Sequence, residues 1–82
     1  MSEHAGDVRL LVEQIAKMLV DEPEQVLVNQ VEEEETVLEL TVSPDDVGKV
    51  IGRQGRVARA LRNLVSATGV RTHKRYALEI LE

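Results

Sequence analysis

The chain of 82 residues is long enough for one small hydrophobic core, and 43% apolar with 30% charged residues is a globular balance. It has no Cys, Phe or Trp and one Tyr, which excludes disulfides, thiolate metal sites, cysteine nucleophiles and sheets that stack RNA bases on paired aromatic residues. The apolar runs are too short to span a membrane and the first residues lack a signal-peptide pattern, so we expect a soluble cytoplasmic protein.

Charge is distributed unevenly along the chain. Residues 1–46 carry 13 acidic and 2 basic side chains, whereas residues 47–82 carry 2 acidic and 8 basic side chains. A chain segregated in this way can present a cationic face to nucleic acid while its net charge stays at −5. The alternative interpretation is that the two halves attract each other within the fold.

The first predicted element is an amphipathic helix over about residues 7–20. Its apolar residues recur at helical spacing, at Val8, Leu11, Val12, Ile15 and Leu19. Gly6 or Asp7 is the expected cap. The helix must end before Pro23, because the residue before a proline avoids helical angles.

Two strands are predicted next, over residues 25–31 and 36–42. Both are rich in β-branched residues, and the second alternates between apolar and polar side chains. The run from Glu32 to Glu35 separates them, so we expect an antiparallel hairpin with a charged loop. Like charges at a hairpin tip are typical of a solvated surface, and the alternative is an acidic binding element.

The segment Ser43-Pro44-Asp45-Asp46 predicts the start of a short helix. Serine is a favourable N-cap, proline suits the first helical position, and aspartates favour the positive end of the helix dipole. The apolar face of this helix consists of Val47, Val50 and Ile51. Two glycines then interrupt the helical pattern.

A second amphipathic helix follows the glycines, and Gly69 is predicted to end it. Its apolar positions are Val57, Leu61, Leu64, Val65 and Thr68. The last predicted element is a strand over residues 70–81 whose buried face consists of Val70, Thr72, Tyr76, Leu78 and Ile80. The order α-β-β-α-α-β predicts an α+β fold, a two-layer sandwich with three helices on one face of a three-stranded sheet.

The Gly52-Arg53-Gln54-Gly55 turn is the main candidate site. Two glycines three positions apart allow a tight turn that leaves backbone N–H groups exposed at the start of the next helix, where anions bind. Arg53, Gln54 and Arg56 can reach phosphate oxygens, Lys49 lies before the turn, and Arg59 and Arg62 follow on the helix that the turn opens. A Gly-x-x-Gly alone is common and ordinarily just separates two helices. This context, with an apolar pair before the turn and polar residues within it, favours a clamp on a nucleic-acid backbone.

The segment from Val47 to Arg56, Val-Gly-Lys-Val-Ile-Gly-Arg-Gln-Gly-Arg, resembles the signature of the KH domain, whose Gly-x-x-Gly loop clamps about four nucleotides. The element order resembles the type II arrangement of that fold, and the whole chain is similar to the KhpA family of small bacterial single-KH RNA-binding proteins. The resemblance implies one KH-like domain over residues 1–82, with a core at about 7–81. One departure is Ala58, where many KH domains have a bulkier apolar residue.

The resemblance implies a site for single-stranded RNA. The glycines would shape the loop, the two residues between them would be its variable contacts, the apolar pair before it would line the floor under the bases, and the arginines after it would flank the phosphates. The implied RNA-binding residues are Lys49, Val50, Ile51, Gly52, Arg53, Gln54, Gly55, Arg56 and Arg59.

The resemblance also implies a role and partners. The protein would be an RNA chaperone or regulator that acts as a homodimer, or as a heterodimer with a larger Jag-type KH protein, in the control of cell elongation and division. A weak single RNA site gains from being doubled in this way. Two alternatives stay open, namely a protein-interaction adaptor that dimerises through the Val50/Ile51 region with RNA binding secondary, and a single-stranded DNA-binding module.

No sequence pattern indicates an enzyme, a cofactor, a small-molecule substrate or a metal site. There is no P-loop, no serine lies at a recognisable spacing from a histidine, and His4 and His73 are too far apart in sequence to suggest a metal site. Arg71, His73 and Arg75 share one parity of the predicted last strand. They either extend the cationic surface or lie on the solvated face of the sheet.

Overall fold

A computed structural model of the chain describes residues 4–81. Its helices and strands are α1 (His4–Leu19), β1 (Leu27–Glu32), β2 (Thr36–Thr41), α2 (Val47–Ile51), α3 (Arg56–Thr72) and β3 (Tyr76–Ile80). Single 3₁₀ turns precede β1, α2 and α3, at Pro23–Gln25, Pro44–Asp46 and Arg53–Gly55. The predicted α+β class and the α-β-β-α-α-β order are therefore confirmed. No helix within residues 4–81 is both long and apolar enough to cross a membrane.

The strands form one sheet in the order β1-β2-β3. The β1 and β2 strands form the predicted antiparallel hairpin, with Glu32 opposite Thr36 at its tip. The β2 and β3 strands are parallel, in a register that runs from Thr36 opposite Tyr76 to Leu40 opposite Ile80. The intervening α2 and α3 make this pairing possible, because parallel strands need a crossover connection.

The core lies between the helices and one face of the sheet. The alternation along β2 buries Leu38 and Leu40 completely, and α1 contributes Val8 and Val12 at a spacing of one helical turn. Removing such an aliphatic side chain from water stabilises the fold by about 1.5–3 kcal/mol. The core thus fixes which faces of α2 and α3 remain at the surface.

The first helix begins earlier than predicted. It already includes Gly6 and Asp7, so neither residue caps it, and it ends at Leu19 in agreement with the prediction. The buried stripe of α1 is narrower than predicted, since Leu11, one of the predicted apolar positions, is 42% exposed.

The end of α3 differs more from the prediction. The helix passes through Gly69 and reaches Thr72, and His73 ends it in a left-handed conformation (φ 60°, ψ 37°) with its N–H donated to the carbonyls of Gly69 and Val70. Gly69 serves packing here. A Cβ at this position would lie 3.0 Å from the Tyr76 ring and still closer to the Lys74 carbonyl oxygen. The predicted strand over residues 70–81 is therefore limited to Tyr76–Ile80.

This change relocates several residues. Val70 is on α3 and 76% exposed, not on the buried face of a strand. Arg71 is also on α3, His73 is its cap and Arg75 precedes β3, so these three do not share a strand face. The buried stripe of α3 contains Ala58, whereas Leu64 is 48% exposed, because Ala58, Leu61 and Val65 together cover the helix face nearest the sheet.

Candidate nucleic-acid interface

The turn between α2 and α3 depends on its two glycines. Gly52 ends α2 with φ 79° and Gly55 begins α3 with φ 74°, in the region that side chains rarely adopt. The Gly52 N–H donates to the Gly48 carbonyl (2.8 Å), and the Gly55 N–H donates to the Gly52 carbonyl (3.0 Å). A Cβ on Gly52 would lie 2.9 Å from Cβ of Val57, whereas a Cβ on Gly55 would meet no neighbour closer than Arg59 at 3.8 Å. Gly52 is thus required for packing as well as for conformation.

Two backbone donors at this turn have no acceptor in the described structure. The side chains of Arg53 and Gln54 are exposed, and their own backbone N–H groups donate to no acceptor within residues 4–81. The turn also lies at the N-terminus of the 17-residue α3, where the helix dipole favours an anion. Together these features can hold a phosphate group.

Two arginines of α3 brace the turn. Arg59 donates from Nη2 to the Gln54 carbonyl oxygen (3.0 Å), and Arg56 donates from Nη2 to Oε1 of Gln54 (3.2 Å). No carboxylate in the described part of the chain forms an ion pair with Arg53, Arg56 or Arg59. The turn therefore carries positive charge that the fold itself does not neutralise by direct pairing.

Arg62 has a different role from the arginines before it. Its Nε donates to the Leu78 carbonyl oxygen at 3.3 Å and so ties α3 to β3. The sequence analysis placed Arg62 among the cations near the turn, and the structure uses it in this contact between α3 and β3.

Lys49 is held by carboxylates. Its Nζ lies 3.2 Å from Oδ2 of Asp21 and 3.4 Å from Oδ1 of Asp46. The hydrogen bond to Asp21, followed by that to Asp46, raises the pKa of Lys49. Among the cations predicted to bind RNA, Lys49 is thus the one that the fold already pairs.

Asp46 connects α2 to the segment after α1. It is 1% exposed, and its Oδ2 accepts the backbone N–H groups of Asp21 (3.2 Å) and Glu22 (3.1 Å). Burial alone would raise the pKa of Asp46, but the bonds from Glu22 and Asp21 together with Lys49 outweigh it and hold the pKa below its ordinary value. The sequence analysis assigned this carboxylate only to the helix dipole. No local pattern identifies its partners, which lie 24 and 25 positions away.

Ser43 has a smaller role than predicted. No side-chain hydrogen bond caps the turn at this residue, and its carbonyl oxygen accepts the Asp46 N–H at 2.8 Å instead. The Ser43 backbone therefore closes the turn before α2, and neither Ser43 nor Asp46 caps a helix with its side chain.

The apolar side of the site begins at α2. Val50 is completely buried in the core, so it supports the surface from beneath, whereas Ile51 is half-buried and reaches the surface. Val47 lies one turn before Ile51 on the same side of α2 and is also half-buried. It borders a cavity of about 550 Å³ lined by Gln25, Thr41, Val42, Pro44, Val47 and Leu81. The sequence analysis did not assign these residues to a site, because three separate segments form the cavity.

Comparison with known proteins identifies the family. The model of the KhpA/KhpB KH domain matches residues 9–80. The RNA-binding protein KhpA of Clostridium perfringens is 56% identical over 72 residues, which cover 87% of this chain and 96% of that protein. The RNA-binding protein KhpA of Borreliella burgdorferi is 48% identical over 83 aligned positions that cover 100% of both chains.

A solved structure of Aquifex aeolicus Era bound to GDP·AlF4⁻ is similar to the chain with a TM-score of 0.63. The two are 19% identical, and the match covers 89% of this chain and 29% of Era, so this likeness concerns the fold alone. The family match and the relatives confirm the resemblance to the KhpA family, and the expectation of a non-enzymatic protein agrees with this family. The chain belongs to the KhpA/KhpB family of KH-domain proteins.

Proposed function

We propose that this protein binds single-stranded RNA by clamping the phosphate backbone over residues 52–55. The proposal rests on the backbone N–H groups of Arg53 and Gln54, which have no acceptor within residues 4–81 and lie at the positive end of α3. The arginines around them have no carboxylate partner in the described structure. Relatives similar over nearly the whole chain are named RNA-binding proteins, which supports RNA as the polyanion. Arg53 and Gln54 are the direct contacts, and Arg56 and Arg59 hold the turn and flank the phosphates.

The bases then lie along α2. Ile51 and Val47 form a half-buried apolar strip that leads from the turn to the cavity beside Leu81. Thr41 and Gln25 give this cavity uncharged hydrogen-bonding groups, the combination with which ligand pockets orient a bound ring. The cavity has no aromatic lining residue for stacking, so one domain binds weakly. With roughly three to five phosphates contacted, log K falls with log salt at a slope of about −2 to −3.5.

A single weak RNA site gains affinity when a second site binds the same RNA. We propose that the protein acts as a homodimer or with a larger KH/Jag-type protein in the cytoplasm, as an RNA chaperone or regulator. Exposed apolar side chains away from the turn, such as Met18 (77% exposed) and Leu64 (48% exposed), support association with a partner. The involvement in cell elongation and division is proposed on the family resemblance alone.

The decisive experiment alters the turn without altering the core. The variant Arg53→Asp/Gln54→Asp should lose at least about 10-fold in affinity for a twelve-nucleotide degenerate RNA, because it removes phosphate contacts and places negative charge at the clamp. The control Asn63→Asp/Arg71→Asp makes the same change in net charge at exposed positions of α3. Fluorescence anisotropy at two salt concentrations measures binding, and circular dichroism shows that both variants are folded. Equal loss in both variants would contradict the clamp.

The adaptor alternative is tested at Ile51, the member of the Val50/Ile51 pair that reaches the surface. Ile51→Asp should weaken RNA binding while sedimentation shows an unchanged oligomeric state. Loss of a dimer with RNA binding retained would instead favour the adaptor. Competition with a DNA oligomer of the same sequence separates RNA from single-stranded DNA binding, since phosphate contacts alone do not require a 2′-hydroxyl.

A further inference from the structure

Two charged segments of opposite sign meet at the end of α3 far from the glycine turn. The β2 and β3 strands are parallel and start in register, with Thr36 opposite Tyr76. The four glutamates of residues 32–35 directly precede Thr36, and the basic segment His73-Lys74-Arg75 directly precedes Tyr76. The register therefore brings the acidic tip of the hairpin beside the basic segment. The Thr36 N–H donates to the Arg75 carbonyl oxygen at 2.9 Å and joins the two.

Glutamates flank Lys74 and Arg75 on two sides. One cavity of about 320 Å³ is lined by these two cations together with Glu32, Glu33, Glu34, Thr36 and His73. A second cavity of about 300 Å³ is lined by the same two cations together with Glu35, Ser66, Val70 and Tyr76. Charged side chains that line the same open cavity interact across the water between them. A mobile phosphate group could enter that space.

The charges in this region are not tied up in direct pairs. Within residues 4–81, neither Lys74 nor Arg75 forms an ion pair. Glu32 already accepts hydrogen bonds from Thr36 (3.1 Å) and Gln30 (2.7 Å), so its carboxylate has a structural role. Glu34 and Glu35 have no such bond in the described part of the chain and are exposed. They are therefore available to screen the two cations.

We propose that the acidic hairpin tip is an internal competitor for RNA phosphates at the Lys74-Arg75 segment, and that it confines RNA to the glycine turn. This inference rests on the RNA-binding proposal and adds a determinant of footprint to it. The Lys74-Arg75 segment has the charge of a second phosphate contact, but carboxylates reduce its positive potential. Bound RNA thus gains little from extending along α3, and the protein selects short unpaired segments.

The acidic tip is too far from the glycine turn to weaken phosphate binding there. The 17-residue α3 is about 25 Å long at 1.5 Å per residue, which separates the hairpin tip from the glycine turn by more than two Debye lengths at 0.1 M salt. A four-nucleotide RNA on the turn does not reach the tip. A twelve-nucleotide RNA spans about 40 Å even when its bases are stacked at 3.4 Å per nucleotide, so it reaches the tip.

The test neutralises the competitor. Glu34→Gln/Glu35→Gln should raise the affinity for a twelve-nucleotide degenerate RNA about 5-fold at 0.1 M salt and steepen its salt dependence, with no change for a four-nucleotide RNA. The control Glu39→Gln/Glu79→Gln makes the same charge change within β2 and β3, four residues or about 13 Å along the strands from Glu35 and Arg75. Adding Lys74→Gln/Arg75→Gln to the first variant should remove the gain. A gain that also appears with the short RNA or in the control, or that survives the loss of both cations, would overturn the inference.

A second measurement does not depend on RNA. Inorganic polyphosphate is titrated into isotope-labelled protein, and the backbone amide resonances of Lys74 and Arg75 are followed by NMR. These resonances should shift in Glu34→Gln/Glu35→Gln and hardly at all in the natural protein. Equal shifts in both proteins would refute the competition. If no RNA binds the natural protein, the RNA-binding proposal fails and this titration still decides whether the tip competes for phosphate.

Discussion

The two ends of α3 carry similar positive charge but have opposite surroundings. At the N-terminal end, Arg53, Arg56 and Arg59 lie beside backbone N–H groups without an acceptor and have no carboxylate paired with them in the described structure. At the C-terminal end, Lys74 and Arg75 share cavities with glutamates of the hairpin tip. The helix dipole increases the difference, because it favours anions at the first end and cations at the second.

This contrast shows that cationic residues alone do not define a nucleic-acid site. The sequence places 8 basic side chains in residues 47–82, and the fold divides seven of them among four situations, while Arg71 is exposed on α3. Three arginines at the glycine turn have no carboxylate partner in the described structure, Arg62 is bonded to β3, Lys49 is paired with aspartates, and Lys74 and Arg75 share cavities with glutamates. A phosphate clamp requires free charge and backbone donors at the same place.

The largest effect is expected from the glycines that form the N-terminal end. Gly52→Ala should lower the free energy of unfolding by about 2–4 kcal/mol, since it combines backbone strain with a clash against Val57. Gly55→Ala should cost only about 1–2 kcal/mol, because its Cβ would make an ordinary contact with Arg59 at 3.8 Å and the strain acts alone. Urea unfolding of both variants measures the difference. Equal losses would show that packing against Val57 does not distinguish the two positions.

The buried carboxylate of Asp46 supports the same end of α3 through α2, and its effect depends on pH. A folded-state pKa below the ordinary value of 3.8 means that Asp46 stabilises the fold above that value and that this contribution is lost as pH falls through the lowered pKa. Asp46→Asn should therefore lower the melting temperature by several degrees at neutral pH, and the difference from the natural protein should shrink below about pH 4.

Asp45→Asn is the matched control, since Asp45 is exposed and directly adjacent. It should melt close to the natural protein at every pH. Glu13, whose pKa is lowered mainly by its hydrogen bond with Lys17, contributes acid sensitivity to all three proteins and cancels in the comparison. A pH-independent difference between Asp46→Asn and the natural protein would contradict a charged Asp46.

The same contrast explains what sequence reasoning could and could not find. The hairpin, the element order and the Gly-x-x-Gly turn follow from local patterns, namely alternation in β2, helical spacing in α1 and glycines at fixed separation. The sequence predicts that Val50 and Ile51 together line the floor under the bases, but Val50 is buried in the core and only Ile51 reaches the surface. Helical spacing alone does not say which of two neighbouring apolar residues lies under the other elements.

The failures share one cause, which is that residues distant in sequence decide the outcome. Gly69 has the signature of a helix end, yet the close approach of Lys74 and Tyr76 accounts for it. Asp46 is predicted to act at the start of a helix, yet its carboxylate accepts hydrogen bonds from the backbone N–H groups of Asp21 and Glu22. The glutamate run was interpreted as a solvated tip, and it is exposed, but only the parallel register of β2 and β3 places it beside the basic segment.

The smallest effect is expected at two non-glycine residues with positive φ. Gln54 (57°) lies at the N-terminal end of α3 and His73 (60°) at its C-terminal end. Replacing either by glycine relieves left-handed strain, and the stability gain should be about 0.5–1 kcal/mol at His73, where the side chain makes no described hydrogen bond. At Gln54 the gain should be smaller, because Arg56 loses the Oε1 acceptor. RNA affinity should fall about 2- to 5-fold in Gln54→Gly and stay unchanged in His73→Gly, as measured by anisotropy with a four-nucleotide RNA. If His73→Gly weakened that binding as much, the end of α3 beside the glutamates would belong to the RNA site, and the two ends would no longer differ in function.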